Sequence, residues 1–445
     1  MPIYPDDLPP NLVERLFLAI DGIQAAPVVH LVVELAGVPD RAVLAEALGA
    51  LVAETALLRT RVVEGRLGFR RQVLGGPGEG TLLWREGLPS GPLPGPERLP
   101  LQDAPPFQVA LQVLGPSRSR LVLSVHHAAG DGRGTVHLAD RLAEHYTALQ
   151  QDRQAPPLPQ GQHPRFRDEF RALGGPARWQ VVRGLGRALA EVEQARQGLR
   201  LATFMDTPLP AHGDLHHAVL RLEGETVQRW RRWARSQGGS LGDWLLAVWL
   251  AAACRVWPDE VGRPGRLSLP VDLRPSGTRG LANHTAEVPL HLPALASEPV
   301  PLFRTISALS PAARDRQVVL SRLAERAIAS LLPPAWFRRA LGAHLALPRN
   351  ATLTGAFSNL GDMDSQLRDL GPVRVTGGWM VGPVASPPGQ STWALTLRGT
   401  LTLAVGYHVP GVAPTSIARM LAEMTALMSG PCPEGEARHD DTTSC

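Results

Sequence analysis

His126, His127, Asp131 and Gly132 stand in the run SVHHAAGDGRG, four identities in the spacing HHxxxDG. The run ends an apolar strand-like stretch, passes through a glycine-rich turn and leads into a helix-like pattern, a place where reactive groups are often presented. A thioester already carries a good leaving group, since a thiol has a pKa of about 8.5. What acyl transfer lacks is the nucleophile, because an alcohol is protonated at neutral pH. Neutral imidazole can take that proton during attack and return it to the departing sulfur. Adjacent histidines on an extended chain point to opposite sides, so only one of the pair can serve a given site. Asp131, four residues past His127, either orients the imidazole as a triad aspartate does or pairs with an arginine and holds the turn.

Other chemistries have less support. All 45 basic residues are arginine, and the sequence has no lysine. Schiff-base chemistry and a phosphate-loop lysine are therefore excluded, because arginine stays protonated. The three cysteines, Cys254, Cys432 and Cys445, are too scattered for a metal cluster or a disulfide framework. No metal site is expected. Neither a Gly-x-Ser-x-Gly elbow nor an HExxH helix is present. A net charge of +4 is too small to argue for nucleic acid. The start, MPIYPDDLPP, is acidic and proline-rich, unlike a secretion signal. The most apolar run, Trp244 to Cys254, is too short to span a bilayer. A soluble, cytoplasmic, monomeric protein is the expectation.

The elements that must position the motif alternate between strand and helix patterns, which predicts a mixed α/β fold. VVHLVVEL at 28–35 is a strand, followed by a helix over 40–55 with Val43, Leu44, Ala47, Leu48, Leu51 and Val52 on one face. Strands are predicted at TLLWR, Phe107 to Val113 and Arg120 to Val125, then a helix from Thr135 to Leu149. An arginine-rich helical region spans Arg165 to Arg200 and could meet coenzyme A phosphates or an acidic carrier. A second half starts near 214 with the strand HHAVLRL, whose His216 and His217 lack a following Asp-Gly and read as structural. A helix over 224–236 and a longer one opened by Ser240 and Asp243 follow. Strands near 266–273 and 285–292, helices near 301–331 and 334–345, and a hairpin turning at Arg398-Gly399 complete it. The expected division is 1–175 for an amino-terminal lobe, 176–430 for a carboxy-terminal lobe, and 431–445 for a polar, disordered tail.

The motif resembles that of the chloramphenicol acetyltransferase-like acyltransferases, which include condensation domains, polyketide-associated acyltransferases and alcohol acetyltransferases. Three further segments agree in order and spacing: VPDRAVLAEALGALVAETALLRTRV, VDLRPSGTRGLANHTAEVPL and FSNLGD. The resemblance spans about 5–425. It implies two similar α/β lobes with a channel between them, a thioester entering from one face and the acceptor from the other. It places the catalytic role on His127, with His126 facing the core and Gly132 allowing close backbone approach. It also implies a structural pair between Asp131 and Arg274. Asn283, Ser358 and Asn359 are candidates for lining the channel or bridging the lobes. The sequence holds no carrier or adenylating domain, so a complete synthetase module is not expected. It also lacks the Asp-Phe-Gly-Trp-Gly segment of the plant enzymes and the Pro-Leu-Trp segment of wax synthases.

The expected activity is acyl transfer from acyl-CoA or an acyl carrier protein to a small alcohol or amine, without an acyl-enzyme. Phosphopantetheine or coenzyme A enters as part of the substrate, and no bound cofactor is expected. The alternatives are a non-catalytic condensation-like scaffold for a carrier or lipid, and a wax ester synthase-like enzyme.

Overall fold

The computed structural model describes residues 10–21, 27–66, 68–74, 82–87, 93–157, 175–176, 178–179, 183, 200–207, 213–274, 280–315, 318–320, 332–345, 353–384 and 388–433. The first strand, β1 (Val28–Ala36), is apolar on both sides. Its odd residues Leu31 and Val33 pack with Leu44, Leu48 and Leu142 of the helices, while Val32 meets Trp379, Val381 and Ala404. A strand buried on both faces reads as a continuous apolar run rather than an alternating one. That explains VVHLVVEL.

The helix α2 (Arg41–Glu54) starts where the Asp40 carboxylate accepts from the amides of Ala42 and Val43. A hairpin of β2 (Thr60–Gly65) and β3 (Gly68–Val73) follows, then β4 (Leu82–Glu86), β5 (Phe107–Gly115), β6 (Arg118–His126) and α3 (Gly132–Gln150). The second half contains β7 (Asp214–Leu222), α4 (Gly224–Ser236), α5 (Leu241–Val256), β8 (Gly265–Asp272), β9 (Thr285–Leu292) and α6 (Pro299–Ala313). It continues with α7 (Pro334–Leu345), β10 (Gly355–Asp362), β11 (Arg374–Val381), β12 (Gln390–Leu397), β13 (Thr400–Val409) and α8 (Pro414–Ser429).

These strands build two large mixed sheets, ordered β11-β1-β6-β5-β4 and β7-β13-β12-β10-β8-β9. The two strands β2 and β3 form a third, small sheet, and the mixed α/β class is the one expected. One connection was not: β11, from the second half of the chain, pairs antiparallel with β1 at the edge of the first sheet. Glu34 on β1 adds a polar tie, with Arg221 of β7 at 2.7 Å and Arg120 of β6 at 3.3 Å.

Several local expectations meet their physical causes here. Ser240 and Asp243 form a reciprocal capping box at the start of α5. Arg398 and Gly399 turn the β12–β13 hairpin with φ of 52° and 76°, the left-handed pair that a tight two-residue hairpin requires. The helix expected from Thr135 starts three residues earlier, at Gly132, because the Asp131 carboxylate caps it by accepting from Gly134 N at 2.8 Å. Of the helix expected over 301–331, α6 accounts for 299–313, and 321–331 lie outside the described residues. So do most of the arginine-rich stretch 165–200, including the residues on either side of 175–176, where the lobe division is expected, and the tail from 434. Among the described residues, no single helix is long and apolar enough to cross a membrane.

The β1–β11 pairing generates a test. A methyl group added at Gly378 would lie 2.5 Å from the Val32 carbonyl oxygen, main chain that cannot step aside. Gly378→Ala should lower stability by about 1–3 kcal/mol, the usual cost of overpacking. Urea unfolding measures this, and an unchanged midpoint would show that the pairing tolerates the intrusion.

Candidate active site

Strand β6 ends at His126, and the chain then turns through His127, Ala128, Ala129 and Gly130 before Asp131 caps α3. The turn is closed by His126 O, which accepts from Ala129 N at 2.7 Å and Gly130 N at 3.2 Å. Gly130 permits a close approach, since a methyl group there would come within 2.5 Å of Leu281. Gly132 packs against Leu360, Met380 and Trp393 of the second half. The turn is thus wedged between β6 and chain segments that come from far along the sequence.

Asp131 is the most heavily bonded side chain of the turn. Arg274, two residues beyond β8, donates to its two carboxylate oxygens, each at 2.8 Å. Gly134 N, His284 N and Thr285 Oγ1 donate to it at 2.8, 2.8 and 2.9 Å. Both charged side chains are almost fully buried, at 4% and 2% exposure. Burial alone would raise the Asp131 carboxyl, but Arg274 and the amide donors overcome it and hold the group at about 2. The hydrogen bonds found for Asp131 go to these groups and none goes to the His127 ring. Of the two roles the sequence left open for Asp131, the geometry is that of holding the turn.

The His127 ring is held by other means. Its Nδ1 lies 3.0 Å from the Gly130 carbonyl oxygen and 3.0 Å from Asn283 Nδ2. A carbonyl only accepts and an amide nitrogen only donates, so Nδ1 cannot bond both. Asn283 Nδ2 already donates to His127 O at 2.8 Å. The consistent assignment puts the proton on Nδ1, donating to Gly130 O, and leaves Nε2 with its lone pair. The opposite tautomer would let Nδ1 accept from Asn283 but set its lone pair against the Gly130 carbonyl oxygen. Burial lowers the proton affinity of His127 most; Asp131, the Gly130 carbonyl and Glu287 raise it, His126 lowers it, and the net effect is downward.

Helix α1 (Leu12–Ile20) covers this arrangement. Phe17 stacks on the His127 ring with centroids 4.1 Å apart. Asn11 and Glu14 form a capping box, and Asn11 Nδ2 also donates to Asn283 O at 3.0 Å. Glu14 pairs with Arg71 of β3 at 3.0 Å, and Arg71 in turn donates to Ala128 O. His126 is fully buried; its Nδ1 accepts from Ala128 N, and its Nε2 stands 3.6 Å from the Asp21 carboxylate. An open cleft lined by Leu18, Asp21, Val62, Phe69, Leu101 and Arg338 lies beside that contact.

Of the residues singled out from sequence, His126, His127, Asp131, Gly132, Arg274 and Asn283 come together here. Ser358 and Asn359 lie on β10, and Asn359 is exposed, its side-chain oxygen accepting from Gly361 N. Leu360, their neighbour, is the residue that packs on the motif. The sequence reading missed α1 altogether, although Asn11 and Glu14 have capping-box spacing ahead of LVERLFLAI. Arg71 carried no local signal. Cys254 is buried on α5, and burial, with Glu260, pushes its thiol up to about 12, which disqualifies it as a nucleophile.

No protein-family model matches the sequence, and comparison with curated proteins found no similar sequence. Solved structures do match. The starter condensation domain of rhizomide synthetase RzmA, a double mutant in complex with C8-CoA and Leu-SNAC, superposes with TM-score 0.67 at 16% identity, over 96% of this chain and 95% of that one. The first condensation domain of the calcium-dependent antibiotic synthetase, with a substrate analogue, gives 0.68 at 18% identity over 96% and 97%. SgcC5 from Streptomyces globisporus, in complex with a naphthyl ethanediol and sucrose, gives 0.63 at 16% over 95% and 98%.

The buried pair generates the next test. Arg274→Met should destabilise the protein by about 3–5 kcal/mol, because Asp131 stays buried without its cation, and Asp131→Asn should cost less, since Asp272 still lies 3.1 Å from Arg274. The double replacement should cost less than the sum of the two. Strictly additive losses in chemical unfolding would mean that the two side chains do not act as a pair. At these identities the superpositions establish architecture: the chain has the two-lobed fold of the condensation domains.

Proposed function

We propose that this chain is an acyltransferase that moves an acyl group from a thioester to an alcohol or amine, with His127 as general base. The observation that carries the reading is the Gly130 carbonyl on Nδ1 of His127, which directs the free lone pair to Nε2. Stacking by Phe17 covers a face of the ring. The lone pair of Nε2 lies in the ring plane and points out at its edge, so the stack does not occupy it.

In the proposed reaction Nε2 takes the proton of the acceptor hydroxyl or amine as that atom attacks the thioester carbonyl. The tetrahedral species then collapses, the carbon–sulfur bond breaks, and Nε2–H returns the proton to the sulfur. An ester or amide and a free thiol leave, and no bond to the protein forms. Asp131 and Arg274 keep the turn in shape, and Asn283 secures the His127 main chain. The donor is a thioester of coenzyme A or of carrier-bound phosphopantetheine. The complexes of RzmA with C8-CoA and Leu-SNAC support that donor class and an amine acceptor, and the diol on SgcC5 keeps an alcohol in view.

Free-thiol release from a panel of acyl-CoAs, with alcohols and amines present, tests the reading. His127→Ala should lose about 10²-fold or more in rate, the usual worth of a general base. Equal turnover by that variant would remove His127 from the chemistry, and tight carrier binding with no thiol release from any donor would favour a scaffold. The pH dependence is a separate check. Burial lowers the His127 pKa from its ordinary 6.5, so the neutral base persists below that pH. The rate should be lost only as pH falls through the lowered value, giving kcat/KM an acid limb with its midpoint below 6.5. A midpoint above 6.5 contradicts a buried neutral base.

A further inference from the structure

We infer that Arg71 is a positioning residue for His127, tying the catalytic turn to helix α1 through the Ala128 carbonyl and Glu14; the inference rests on His127 being the base. The main-chain oxygens of the turn supply the argument. His126 O accepts from two amides within the turn, and His127 O accepts from Asn283 Nδ2. Gly130 O accepts from the His127 ring, and Asp131 O accepts from Thr135 N. The Ala128 oxygen is bonded from outside, by a guanidinium nitrogen of Arg71 brought from the β2–β3 hairpin.

The other terminal nitrogen of that guanidinium lies 3.0 Å from Glu14 Oε2, and the two side chains are 5% and 4% exposed. A buried cation is costly without a counter-ion, so Glu14 accounts for its being tolerated. Arginine presents its donors in a rigid planar fork, which a lysine ammonium cannot imitate. With one prong on Ala128 O and the other on Glu14, the fork sets the spacing between the turn and the first turn of α1. One helical turn further along α1 is Phe17, stacked on the His127 ring. The spacing that Arg71 fixes is therefore also the spacing between the ring and the group that shields it from water.

Three full-length variants test this: Arg71→Met, Arg71→Lys and the double variant Glu14→Gln with Arg71→Met. Arg71→Met should lower kcat about 10- to 100-fold, the scale of a slightly misplaced catalytic group, with little change in donor KM. Arg71→Lys should recover less than half of that loss. The double variant removes both buried charges, so it should regain the thermal stability lost in Arg71→Met while kcat stays low. Recovery of kcat together with stability would reduce Arg71 to a merely structural role and overturn the proposal.

An activity-independent readout is the titration of His127 by NMR in protein labelled at the histidine ring carbons. The groups that act on that ring are Asp131, Glu287, His126 and the Gly130 carbonyl, none of which the variants change. Loosened shielding in Arg71→Met should raise the His127 midpoint toward its ordinary 6.5. An unmoved midpoint would overturn the proposal even if the variant were slow. If the parent protein shows no turnover that depends on His127, the base assignment fails, and the midpoint alone still decides whether Arg71 positions the ring.

Discussion

The Asp131 carboxylate is the point on which the rest of the site depends. It is a buried charge that receives donors from Arg274, the amides of Gly134 and His284, and the Thr285 hydroxyl. Those donors come from the first turn of α3 and from the segments around β8 and β9. One carboxylate therefore starts a helix of the first half and anchors chain from the second half against it. The amino-terminal end of α3 adds a favourable electrostatic environment for the negative charge. A neutral side chain of the same shape would satisfy fewer of these donors and leave the buried Arg274 cation with Asp272 alone as counter-ion.

With its shape set by that anchor, the turn can present an imidazole whose two nitrogens have different jobs. The bond from Nδ1 to Gly130 O is local, three residues along the chain, so the same loop that carries His127 also selects its tautomer. Burial keeps the ring neutral, and Phe17 supplies part of that burial. The second histidine buried at a strand end shows the contrast. His126 sits with its Nδ1 taken up by Ala128 N, inside the fold and facing Asp21. Two adjacent identical side chains thus receive different roles from the alternation of an extended chain.

Much of this was legible from the sequence because its causes are local. The apolar run of β1, the periodicity of α2, the capping box at Ser240 and the turn at Arg398-Gly399 all lie within a few residues of the structure they determine. The motif and the Val-Asp-x-Arg segment indicated which distant residues to bring together, though only by resemblance. What was not legible depends on long-range placement. No local pattern says that β11 crosses to the first sheet, that Arg71 reaches the Ala128 carbonyl, or that α1 lies over the imidazole. The early start of α3 falls between these cases. The charge of Asp131 is plain in the motif, whereas its capping of α3 depends on the placement of the Gly134 amide.

The central claim is that His127 rests as a neutral imidazole with its proton on Nδ1 and its lone pair on Nε2. Nitrogen-15 shifts of the His127 ring in the full-length protein at neutral pH test this most directly. The account predicts a protonated Nδ1 and an unprotonated Nε2. A proton on Nε2, or a doubly protonated ring, would contradict it.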